Sequence, residues 1–76
     1  MNIQELTMRL EALGPHTTVE VVDLTGTNDH YQASIASPLF KGRSIIEQHR
    51  DVFALVKKEL ESGEIHALSL KTKYIP

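Results

Sequence analysis

Four histidines and not one cysteine set the limits of the chemistry this chain can offer. Without thiols there are no disulfides, no thiolate nucleophiles and no cysteine-ligated metal sites, which leaves imidazole as the main donor for a transition metal or for proton transfer near neutral pH. His16 follows Gly14-Pro15 in a loop and reads as a solvated surface residue. His49 lies on an apolar helical stripe between Ile45 and Phe53 and reads as a core-edge histidine with one ring nitrogen bonded to a neighbour. His66 raises a sharper question. In "GEIHALSLK" it sits among aliphatic residues of what reads as a short buried strand, where an imidazole costs free energy unless it has a hydrogen-bond partner or a chemical task. His30 opens the second arm of an expected hairpin. Both rings would emerge at one end of a sheet if the last strand ran parallel to that arm, as a right-handed crossover allows. Two imidazoles are half of a metal site. Zinc takes four donors and Asp29 is the one sequence neighbour able to add another, so spacing by itself leaves ligation and an ordinary structural role both open.

Other chemistries are poorly represented. There is no G-x-S-x-G elbow, P-loop, G-x-G-x-x-G or H-E-x-x-H, and the scattered carboxylates show no pairing, so the chain is not expected to be an enzyme. Lys41 and Arg43 flank Gly42 just ahead of a capped helix, where backbone amides and two cations could hold a phosphate. His49 and Arg50, side by side, add a candidate partner or nucleic-acid contact. Against this, 8 Lys+Arg face 10 Asp+Glu, the net charge is -2, and two Tyr and two Phe make no aromatic platform. Ordinary surface charge is the simpler reading, and nucleic acid the lesser alternative partner. No apolar run approaches the ~20 residues that cross a bilayer, and no signal or lipidation motif is visible, so no membrane association is expected. A cysteine-free chain suits a cytoplasmic location.

The elements that must position these residues follow from periodicity. Ile3, Leu6, Leu10 and Leu13 predict a helix over roughly 2–13, with Asn2 and Glu5 as a capping pair and Gly14-Pro15 as its stop. "TTVEVVDL" and "HYQASIA" alternate as strands around the turn "TGTND". Ser37-Pro38 ends the second strand and "LFKG" makes a short turn. Ser44 and Glu47 form an S-x-x-E capping box, after which Ile45, His49, Val52, Phe53, Val56 and Leu60 share one stripe of a single helix ending at Gly63. In the closing strand His66, Leu68 and Leu70 should share one face and Ile65, Ala67 and Ser69 the other. The whole chain, 1–76, is expected to be one α+β domain of αββαβ order. It forms a two-layer sandwich whose small three-stranded mixed sheet hides one face under its helices.

The run "LFKGRSIIEQHRDVFALV" followed by "GEIHALSLKT" strongly resembles the BolA family, and the likeness extends from about Asn2 to about Lys73. That resemblance implies a class II KH-like fold and a protein that works by pairing with a monothiol glutaredoxin, the two sharing a [2Fe-2S] cluster. It maps one cluster ligand onto His66, in the final strand, and a second onto His30, in the hairpin loop where members carry histidine or cysteine. The partner's cysteine and glutathione would complete the set, so no cofactor is expected in the isolated chain. Imidazoles on one iron with sulfur on the other raise the reduction potential relative to all-thiolate ligation. "FKGRS" lacks the G-x-x-G clamp of RNA-binding KH domains. Some BolA relatives are described as DNA-binding regulators, which remains the alternative that the resemblance implies.

Overall fold

Strict alternation along β2 (His30–Ser37) decides how the sheet is used. Tyr31, Ala33, Ile35 and Ser37 are buried while His30, Gln32, Ser34 and Ala36 are only partly covered, so one face meets the core and the other stays open. In the computed structural model, which describes residues 1–76, β2 is the central strand of three. It pairs antiparallel with β1 (Thr18–Asp23) and parallel with β3 (Ala67–Tyr74), giving the expected mixed sheet. The parallel register sets His30 opposite Ala67, one residue beyond His66.

α1 (Ile3–Glu11) buries Leu6 and Leu10 and starts where Asn2 Oδ1 accepts the Glu5 backbone N–H at 2.8 Å. After β2, Ser37 caps a 3-10 turn at Pro38–Phe40 that drives Phe40 into the core. α2 (Ile45–Leu55) begins with the predicted capping box, both arms formed: Glu47 N–H to Ser44 Oγ at 3.2 Å and Ser44 N–H to Glu47 Oε1 at 2.9 Å. Leu6, Leu10, Tyr31, Ala33, Ile35, Phe40, Val52, Val56 and Ile65 form one core beneath the helices.

Three sequence expectations need correction. The second helix is not continuous to Gly63: at Val56 the backbone leaves helical geometry (φ −124°, ψ 23°), and α3 (Lys57–Ser62) follows as a separate turn. Arg9 braces the break, donating to the Leu55 carbonyl at 3.3 Å and pairing with Glu59 at 2.7 Å. The apolar stripe is also displaced. Ile45 lies outside it, 58% exposed, and Gln48 takes a buried position, donating to the Arg43 carbonyl at 2.9 Å. Finally, the buried-strand reading of His66 fails. Gly63 closes α3 in the left-handed region (φ 83°), the chain bends through 64–66, and Ile65 N–H bonds the Glu59 carbonyl at 3.0 Å. That bend sends Ile65 into the core and His66 out to the rim, so His66 shares no face with the inward Leu68 and Leu70.

Candidate metal centre

The hairpin loop is organised from its first residue. Asp23, last in β1, accepts backbone N–H groups through both carboxylate oxygens: Thr25 at 3.2 Å and Gly26 at 2.9 Å on Oδ1, Asn28 at 3.0 Å on Oδ2. An aspartate that satisfies the turn amides in this way needs left-handed backbone downstream, which Gly26 (φ 76°) and Asn28 (φ 59°) supply. The loop therefore delivers Asp29 and His30 to the head of β2 in a defined orientation.

Asp29 then joins the loop to the last strand twice. Its backbone carbonyl accepts the N–H groups of His66 at 2.7 Å and Ala67 at 3.2 Å, which fixes where β3 starts. Its carboxylate lies between two imidazoles, with His30 Nδ1 at 2.7 Å from Oδ1 and His66 Nδ1 at 3.5 Å from Oδ2. The ring centroids are 5.6 Å apart and edge to face. One ligand atom from each of Asp29, His30 and His66 fits within 4.8 Å of the others. A hydrogen bond from the Thr27 hydroxyl, then one from His30, holds the Asp29 carboxyl down at about 2, so it is ionised throughout the physiological range. Both rings remain accessible, His30 side chain 40% and His66 58% exposed, and a rim position with open imidazoles can accept a metal-bearing partner.

The other candidates fall elsewhere. Arg43 donates to both Asp51 oxygens at 2.8 Å and lies 3.9 Å from Glu47, while Glu47 caps the first turn of α2. The head of that helix is thus served by the chain's own carboxylates, and of the two cations proposed for a phosphate only Lys41 is unpaired. His49 is half-buried on α2, without the hydrogen bond expected of its ring, and Arg50 beside it is exposed. His16 is exposed in its loop. Asp29 was visible in the sequence as a potential third donor. Its bridging place was not, because it depends on where β3 begins.

A family model for BolA-like proteins matches residues 4–75. The chain is 34% identical to RP812 of Rickettsia prowazekii over all of its own length and 97% of that protein. It spans between 12% and 61% of the other curated relatives compared. Among solved structures, a bolA homologue from Coxiella burnetii superposes with a TM-score of 0.78 at 28% identity, covering 100% of this chain and 92% of the other. The BolA domain of SufE1 from Arabidopsis thaliana gives 0.80 at 31% identity, covering 93% and 88%.

Proposed function

The chain belongs to the BolA family, and from that premise we propose that it is a non-enzymatic adaptor that pairs with a monothiol glutaredoxin and co-ligates a bridging [2Fe-2S] cluster. Its work would lie in iron-sulfur trafficking or iron sensing in the cytoplasm. One observation carries this reading: two accessible imidazoles, one heading β2 and one just ahead of β3, converge at a single rim of a protein without thiols. The donor chemistry fits. Two neutral nitrogens supply half of the four terminal positions of such a cluster, and with no cysteine in the chain the sulfur donors must come from the partner and its glutathione. His30 and His66 are the residues that would hold it. When bound, the cluster would supply one-electron chemistry at a potential raised by imidazole ligation. The chain's own contribution is to present both rings on the ends of paired strands and to leave their outer sides open. Family membership and the α-β-β-α-β order support the class II KH-like reading, and the occurrence of a BolA domain in SufE1 supports a role beside other proteins rather than alone.

Anaerobic reconstitution with a monothiol glutaredoxin, glutathione, iron and sulfide tests this reading. Wild type should form a mixed complex with absorption and circular dichroism distinct from the glutaredoxin's own cluster. His66→Ala should alter both spectra and His30→Ala should do so more mildly, since water or a neighbouring side chain can take its place. Spectra identical for wild type and His66→Ala would remove His66 from the site. The DNA-regulator alternative predicts iron-independent, salt-sensitive DNA binding weakened by Lys41→Ala, a pattern absent if the adaptor reading is right.

A further inference from the structure

We propose that Asp29 is a positioning residue that selects which nitrogen each histidine offers: it holds both rings by Nδ1–H and turns both Nε2 atoms outward as the ligating pair. The purpose of this arrangement rests on the cluster reading above, whereas its geometry does not. An ionised carboxylate can accept hydrogen bonds and cannot donate them. His30 Nδ1 lies 2.7 Å from Asp29 Oδ1, a formed hydrogen bond, so the proton of the neutral ring must be on Nδ1 and Nε2 must carry the lone pair. His66 Nδ1 faces Oδ2 at 3.5 Å, close enough for the same carboxylate to favour Nδ1–H and for a small ring rotation to complete the bond.

Asp29 itself is held from both its side chain and its backbone. Oδ1 also receives the Thr27 hydroxyl, and the Asp29 carbonyl is bonded to the His66 and Ala67 amides. Backbone and carboxylate of one residue therefore set where the strand behind His66 begins, fix the ring of His30 by a hydrogen bond, and face the Nδ1 side of His66. His66 itself is exposed at the rim, its side chain 58% accessible. Its Cδ2–Nε2 edge, opposite the Nδ1 that faces Asp29, is the one nearest Gly63, where even an added Cβ would lie 3.9 Å from Cδ2 and 4.0 Å from Nε2, ordinary contact that leaves Nε2 unobstructed. Hydrogen bonding of the non-ligating nitrogen to a carboxylate orients a histidine ligand and raises its basicity. Here a single carboxylate does so for two ligands.

The test separates this inference from the function it serves. In the isolated full chain at mildly alkaline pH, long-range nitrogen-proton NMR correlations read the tautomer of each ring. His30 and His66 should be Nδ1–H forms, while exposed His16 should show the Nε2–H form that an unrestrained histidine side chain favours. Asp29→Ala should return both rings to Nε2–H. Asp29→Asn, which keeps the shape and offers one acceptor oxygen, should release at least one. In the mixed complex Asp29→Ala should weaken cluster retention by about tenfold with both histidines intact. Nε2–H tautomers in wild type, or Nδ1–H retained on both rings in Asp29→Asn, would overturn the assignment and leave the cluster reading standing. Correct tautomers in a wild-type chain that never assembles a mixed cluster would remove that reading, and with it the role assigned to Asp29.

Discussion

Tyr31 shows how much a single side chain contributes to the rim. It follows His30 directly and points the opposite way, fully buried, its hydroxyl donating to the Met1 carbonyl at 2.6 Å. Desolvation raises its ionisation above the usual phenol value, with surrounding carboxylates adding to the effect. Tyr31→Phe should cost about 1 kcal/mol in denaturant unfolding, because it orphans a carbonyl and removes one bond without opening a cavity. The cluster spectra of that variant should match wild type, since the ring still anchors the first residue of β2. At this scale the sequence was most informative about identity and least about environment. His30 and His66 are singled out by the expected parallel pairing and by the BolA resemblance, since spacing alone leaves ligation and a structural role both open. The exposure of His66 was misread: alternation was extended backwards through a bend that only Gly63 announces. The Arg43–Asp51 pair was equally hidden, joining a residue ahead of the N-cap to one two turns into the helix, outside the i,i+4 pattern.

Among the elements, α2 and the segment leading into β3 make the clearest predictions. Bonds from Ser44, backbone first and hydroxyl second, with Arg43 adding, hold the Glu47 carboxyl below its ordinary range. A depressed acid stabilises the fold fully above its unfolded pKa, and that stabilisation is lost as pH falls through the lower folded value. Acid titration of stability should therefore show wild type losing more than Glu47→Gln as pH drops below about 4.5. Ser44→Ala should cost about 1 kcal/mol near neutral pH. Gly63 holds φ 83°, so Gly63→Ala should destabilise by about 1 kcal/mol through backbone strain. The added methyl makes only ordinary contact with His66, so the variant's ring tautomer should not change. Both strands of the hairpin, the parallel third strand and the capping box were legible because each has a local signal or a handedness rule behind it. The break at Val56 has no glycine or proline to mark it. It is stabilised by Arg9, remote in sequence, and such long-range support leaves no local trace.

As a whole the protein is a thin construction: one core of nine buried side chains under a three-stranded sheet whose other face is bare. A chain of this size has roughly 4–11 kcal/mol of stability, and Phe40→Ala should remove about 3–5 of it, lowering the melting temperature by roughly 12–40 °C. The functional end is built differently from the core. It uses hydrogen bonds at the start of parallel strands, so core variants should lower melting temperature while leaving cluster spectra of the folded fraction intact. The fold class follows from the order of elements and the shortage of material to cover a second face. On the proposed reading the sulfur donors belong to a partner, and a partner's contribution leaves no trace in one chain's periodicity. The most direct measurement of the central claim is pulsed EPR on the reduced mixed cluster, assembled from glutaredoxin and this chain labelled with nitrogen-15 histidine. Two histidine nitrogen couplings are predicted for wild type, one for each single variant at His30 or His66, and none for the double variant. Couplings that persist in the double variant, or their absence from wild type, would contradict the account.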